Sequence, residues 1–147
     1  MKPANEFKMT LLSRSANEGF ARVAVSAFVA QLDPTIEELS DIKTAVSEAV
    51  TNCIVHAYGD ELGKIYLSAA IYDDRRVVIK IKDNGCGIPD IHKAMEPLFT
   101  TAGGERAGLG FAVMQSFMDR LRVRSNVGKG TLLTLEKRLS LRMRTHA

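Results

Sequence analysis

Val77-Val78-Ile79-Lys80-Ile81-Lys82 runs directly into Asp83-Asn84-Gly85-Cys86-Gly87-Ile88-Pro89. The first six residues alternate as a strand does, and the next seven form a turn rich in glycine. A lone carboxylate therefore ends a buried strand. Held there, it accepts a hydrogen bond from an amino group on a flat ligand, and glycines at alternate positions keep side chains out of the way. By itself D-x-G-x-G is equally the turn that closes a strand. Its neighbours change the weighing. Upstream stands Glu48-Ala49-Val50-Thr51-Asn52-Cys53-Ile54-Val55-His56; downstream stand Gly108-Leu109-Gly110 and Gly128-Lys129-Gly130-Thr131. In this order, the four pieces make nucleotide binding the leading reading.

Working outward, Phe7–Leu12 alternates loosely and predicts a first strand. Ser15 with Glu18 predicts a capping box, followed by an apolar stripe of Phe20, Val23, Ala24, Ala27, Phe28 and Leu32. Asp33-Pro34 stops that helix. Thr35 with Glu38 caps a second one, whose stripe runs Leu39, Ile42, Val46, Ala49/Val50, Cys53 and Ala57 until Tyr58-Gly59. Lys64–Tyr72 and Val77–Lys82 predict a hairpin across Asp73-Asp74-Arg75-Arg76. A short helix over Asp90–Met95 precedes an aperiodic stretch, Pro97–Ala107. A helix over Leu109–Met118 and a hairpin of Leu121–Asn126 with Thr131–Arg138 complete the chain. The order β-α-α-β-β-α-β-β implies a two-layer α/β sandwich, a mostly antiparallel sheet covered on one face by helices. A P-loop is absent, and Gly85 follows a hairpin strand instead of opening a βαβ unit, which excludes the Walker and Rossmann solutions.

The 147 residues are 46% hydrophobic and 25% charged, which suits one soluble domain over residues 1–147. No apolar run approaches the roughly 20 residues of a membrane span, and Met1–Glu6 lacks a signal-peptide core, so a cytoplasmic protein is expected. Two cysteines, Cys53 and Cys86, fit neither a disulfide framework nor a zinc site and read as small packing residues. The net charge of +3 is too small to indicate nucleic acid. Lys137, Arg138, Arg142 and Arg144 read as a basic, solvated tail beginning near residue 138.

Glu48, Asn52 and His56 recur at i, i+4 and i+8, forming a polar line on a helix otherwise strongly apolar. A solvated face explains such a line one residue at a time, yet polar groups on an apolar helix ought to have partners. An Asn amide oxygen suits magnesium, which keeps several waters and borrows phosphate oxygens. A Glu one turn earlier can orient or deprotonate a hydroxyl beside the same phosphates. Gly108-Leu109-Gly110 is expected to open a helix whose free N–H groups face phosphate. The aperiodic stretch before it has the composition of a lid, with Arg106 at its hinge where it can neutralise a terminal phosphate. Thr131, after a glycine turn, can place its hydroxyl beside Asp83.

This set of E-x-x-x-N on a helix, D-x-G-x-G-I-P after a strand, G-x-G at a lid and G-T on a late strand resembles the GHKL (Bergerat-fold) ATP-binding superfamily. Within it, S-E-A-V-T-N-x-x-x-H-A-Y, G-I-P-D-I and P-L-F-T-T resemble the anti-sigma-factor serine kinases of the sigma-F type. The resemblance spans about Phe7 to Lys137. It implies that Asp83 bonds the adenine amino group of ATP with Thr131 assisting, that Asn52 holds Mg²⁺, and that Glu48 is the catalytic base. Gly85, Gly87, Gly108 and Gly110 would shape the pocket and lid, with Arg106 near the terminal phosphate. It further implies a homodimer that blocks a sigma factor and phosphorylates a serine of an anti-anti-sigma protein, without direct nucleic-acid or membrane contact. The lid, Thr101–Arg106, is short and rich in glycine for that family.

Three readings follow. The first is the serine kinase and anti-sigma factor, with the stress-response sigma-B type as a lower-ranked variant. The second is the ATP-binding domain of a histidine kinase, which needs an upstream acceptor His that Met1–Leu12 does not contain. The third is a module that holds ATP without turning it over, against which the intact Glu48 argues. For the first reading, the exposed side of the first helix, with Arg14, Arg22 and Gln31, is the expected partner surface, Arg22 foremost.

Overall fold

Strict alternation in Lys64–Ile71 and Arg76–Asp83 sends Ile65, Leu67, Ala69 and Ile71, then Val77, Ile79, Ile81 and Asp83, to one side of a sheet. The computed structural model describes residues 1–95 and 105–141, without the side chains of 105–109. Its strands are β1 (Asn5–Leu12), β2 (Lys64–Ile71), β3 (Arg76–Asp83), β4 (Arg120–Asn126) and β5 (Gly130–Arg138). They form one sheet in the order β1-β2-β3-β5-β4, and every neighbouring pair is antiparallel. The helices are α1 (Ala16–Val29), α2 (Ile36–Thr51), α3 (Ile91–Met95) and α4 (Glu105–Phe117). A 3₁₀ turn, Ala30–Leu32, follows α1, and a π-helical segment, Asn52–Tyr58, continues α2 without a break.

One core fills the space between the layers. Ile42, Ala45, Val46, Ala49 and Val50 of α2 are fully buried over Ile65, Ile79, Ile81 and Leu135 of the sheet. Each such side chain contributes about 1.5–3 kcal/mol through burial. The capping box at the start of α2 forms as the spacing requires. Thr35 Oγ1 accepts from the Glu38 N–H at 3.0 Å, and Glu38 Oε1 accepts from the Thr35 N–H at 2.9 Å.

Three expectations are corrected. Ser15 makes no cap: its own backbone is already helical (φ −57°, ψ −33°), which carries its hydroxyl away from the free N–H groups, and Glu18 pairs with Arg22 instead. The buried stripe of α1 is Ala21, Val25 and Val29, leaving Phe20 and Val23 exposed at 54% and 60%. These smaller residues are the ones that join the core, with Phe28 and Leu32 packed against its edge. Lys137 and Arg138 belong to β5, not to a tail. Lys137 Nζ donates to the Phe117 carbonyl at 2.7 Å and pairs with Asp41, while Arg138 pairs with Asp74 at 3.0 Å. Arg142 and Arg144 lie outside the described residues, as does most of the expected lid.

Candidate nucleotide-binding site

Asp83 is the last residue of β3 and faces the helices, where it is 4% exposed. Two donors hold its carboxylate: the Gly85 N–H reaches Oδ1 at 2.9 Å and the Cys53 thiol reaches Oδ2 at 3.5 Å. Burial raises the Asp83 carboxyl above the ordinary aspartate value, against the N–H of Gly85, the Cys53 thiol and the N–H of Thr131. Burial, then the charge of Asp83, pushes the Cys53 thiol well up, so it remains a protonated donor. Asp83 is the register partner of Thr131 on β5, which is also buried.

These two residues line a cavity of about 160 Å³ with Asn52, Cys53, His56, Ile88 and Phe111. A cavity of about 150 Å³ with apolar walls accommodates an aromatic ring. Apolar walls around one carboxylate and one hydroxyl describe a pocket for a ring bearing an amino group.

The glycines of the turn act differently from the expectation. A Cβ on Gly85 would stand 2.4 Å from the Ala57 carbonyl oxygen, and one on Gly87 (φ +77°) would stand 2.4 Å from that of Asn126. Their bareness lets the turn lie against protein backbone on both sides, beyond any effect on a ligand. The Cys86 N–H donates to the Ala57 carbonyl, and the Gly128 N–H donates to that of Cys86. Cys86 is exposed there, contrary to its reading as a packing residue; Cys53 is buried as expected.

The polar line of α2 does not stay in line. From Asn52 the helix widens to i→i+5 turns, so residues four apart no longer superpose. Asn52 and His56 line the ring cavity, and Glu48, whose carboxylate stays close to Asn52, lines a groove of about 500 Å³ between α1 and α2 that also carries Arg22, Lys43 and Ser47. Helix α4 closes over this junction. A Cβ on Gly110 would stand 3.3 Å from both Asn52 Oδ1 and Glu48 Oε2. The helix begins at Glu105, so Gly108 and Gly110 lie within its first turns instead of opening it. Arg106 is in the first turn, and its side chain lies outside the described residues.

Arg14, Arg22 and Gln31 do not share a helix face. Arg14 precedes α1, and Gln31 sits in the 3₁₀ turn, where its Oε1 accepts from the Asn5 side chain at 2.9 Å. Arg22 alone is on α1, held by Glu18 at 3.4 Å.

Two site residues escaped the sequence. Ser125 of β4 places its hydroxyl 2.8 Å from that of Thr131 and accepts from the Ile88 N–H at 2.7 Å. It thereby ties the G-I-P turn to the pocket floor. Tyr58 ends the π-helical segment; its hydroxyl accepts from the Asn84 N–H at 2.7 Å and donates to the Lys64 carbonyl. Only cross-strand register could have marked Ser125, while Tyr58 read as a helix stop.

Among the described residues no three carboxylate, histidine or cysteine side chains gather into a metal site. Asn52 Nδ2 is buried, beside Glu48, without a hydrogen-bond partner among the described residues. An amide so placed, whose oxygen and nitrogen can exchange by a flip, fits a magnesium ion that draws its other ligands from phosphate and water.

The profile of the histidine kinase-like ATPase domain matches residues 12–137. An anti-sigma F factor of Caldanaerobacter subterraneus subsp. tengcongensis is 57% identical over 138 residues, covering 93% of this chain and 96% of the relative. The chain belongs to the histidine kinase-like ATPase domain family, among the anti-sigma F factors. That of Clostridium novyi is 52% identical, covering 92% of this chain and 95% of its own. The fold is shared with the RsbU and RsbW domains of Rv1364c from Mycobacterium tuberculosis, at a TM-score of 0.69 and 23% identity, covering 93% of this chain and 32% of that one. It is shared also with a histidine kinase domain of Erythrobacter litoralis EL346, at 0.55 and 21%, covering 83% and 61%. Among the described residues no helix is long and apolar enough to cross a membrane.

Proposed function

We propose that the chain is a cytoplasmic, homodimeric anti-sigma factor of the sigma-F type. It holds a sigma factor inactive and, as an ATP-dependent protein serine kinase, phosphorylates the anti-anti-sigma protein that opposes it. The observation that carries this reading is the junction at Gly110. There Asn52, from the wall of the ring cavity, and Glu48, from the groove between α1 and α2, meet beneath one helix. Adenine in the cavity would give its amino group to Asp83, with Thr131 beside it, and its phosphates would run toward Asn52.

Asn52 would hold Mg²⁺, which when bound neutralises phosphate charge. A substrate serine would enter along the groove, where Glu48 accepts its hydroxyl proton. The serine oxygen bonds to the γ-phosphorus, and the bond from that phosphorus to the bridging oxygen breaks, leaving ADP. Arg106, one turn from Gly110, would meet the terminal phosphate. Arg22 and Lys43 flank the groove entrance and would engage the protein partners. The exposed Phe20 and Val23 on the same helix support a protein interface there.

The test is to co-purify the chain from its own cells and identify its companions, then to offer it γ-labelled ATP with the anti-anti-sigma protein. Recovery of a sigma factor and label on serine support the reading. Label on a histidine of a companion protein would favour a histidine-kinase module instead.

A further inference from the structure

The face of the sheet that none of the described helices covers carries a grid of cations, of which Lys82 lies over the Tyr66 ring at 5.9 Å. Register places Lys8, Ser68, Lys80, Thr134 and Arg122 in one row across all five strands. The next row reads Thr10, Tyr66, Lys82, Leu132 and Arg124. All face away from the helices, because their neighbours Ile79, Ile81, Leu133 and Leu135 are buried beneath α2. Strands lie about 4.8 Å apart and alternate residues about 7 Å apart, so cations recur roughly every 10 Å across the sheet and 7 Å along it.

Solvated faces are ordinarily polar, but they mix signs. Here Lys8, Lys80, Lys82, Arg122 and Arg124 are exposed, and none forms an ion pair among the described residues. The acids on this face are Glu6 and Glu136, at one end, and Glu136 is taken by Arg76 at 3.4 Å. Neutral Ser68, Thr134 and Leu132 separate the cations, so the pattern avoids direct repulsion while summing to a positive field. Within the grid is a shallow cavity of about 200 Å³, floored by Tyr66 and Leu132 and edged by Lys80 and Lys82.

We propose that this open face binds an acidic protein segment, with one apolar side chain seated between Tyr66 and Leu132 and carboxylates over the surrounding cations. Carboxylates on alternate residues of an extended segment repeat at about the same 7 Å as Arg122 and Arg124. Single-stranded nucleic acid is the poorer fit: it needs a series of stacking rings, and Tyr66 is the sole ring in these rows. The surface lies on the opposite side of the sheet from Asp83 and stands independently of the kinase reading.

The probe is a fluorescent 16-residue peptide of alternating glutamates around a central leucine, with an oligo-dT of equal length beside it. Fluorescence anisotropy should show saturable peptide binding that weakens with salt. The double variant R122E/R124E should lose tenfold or more in affinity. Tyr66→Ala should lose severalfold without changing the salt dependence. Should R122E/R124E unfold, as judged by circular dichroism and nucleotide binding, K80E/K82E replaces it with the same expected loss. Absence of saturable binding by the unaltered protein, or equal affinity in a folded reversal variant, overturns the proposal. Tighter binding of oligo-dT than of peptide at physiological salt overturns it in favour of nucleic acid.

Discussion

The Cys53 thiol and the Asp83 carboxylate meet at 3.5 Å across the gap between the π-helical segment and β3. The thiol holds one carboxylate oxygen and the Gly85 N–H holds the other, so the group that faces the cavity cannot rotate freely. A buried carboxylate kept this way is poised to accept from a ligand, at some expense to the empty protein.

Asp83→Asn should separate binding from stability. The amide presents a donor where an acceptor is required, which costs about 1–3 kcal/mol, or roughly 5- to 150-fold in ATP affinity. Because burial raises the folded-state pKa of Asp83, protonation favours the folded state. The unaltered protein should therefore lose stability, relative to the Asn variant, as pH rises from the ordinary aspartate range through that raised value. Below that range the difference should stop changing with pH. Chemical denaturation across pH and calorimetry with ATP measure both halves; unchanged ATP affinity would refute the adenine role.

Glu48→Gln should bind Mg·ATP and the sigma factor normally but phosphorylate the anti-anti-sigma protein about 10²- to 10⁴-fold more slowly. Asn52 and Asp83 are untouched by the change. Labelled phosphate transfer is read beside sigma binding. Transfer at the original rate would exclude Glu48 as base, whereas joint loss of both activities would mark it as structural.

Arg22→Glu should weaken partner binding and leave ATP affinity intact. Arg22 lines the groove that leads to Glu48 but not the ring cavity, and its pairing with Glu18 is a partly exposed contact of small energy. Partner affinity measured at low salt decides it; an unchanged value would remove this groove from the interface.

Ser125→Ala removes the acceptor for the Ile88 N–H and the neighbour of the Thr131 hydroxyl. Stability should fall by about 1–3 kcal/mol, and ATP affinity should fall with it as the G-I-P turn loosens. Denaturant melts with and without nucleotide test this. A variant as stable as its parent would show that water replaces the hydroxyl.

The sequence by itself determined the strands, the second helix with its capping box and the antiparallel hairpins, and it singled out Asp83, Asn52 and Glu48 as candidates. These are written in local periodicity and short motifs, where each residue's neighbours along the chain carry the signal. Tertiary structure decided which face of α1 is buried. Periodicity favoured Phe20 and Val23, but close packing on α2 selected Ala21, Val25 and Val29. It also decided that the helix widens from Asn52 onward, and no side-chain pattern records that. Ser125, Tyr58 and the cation grid depend on which strands become neighbours and in what register. Register is fixed by burial of one whole sheet face at once, a property of the assembled core and not of any segment within it.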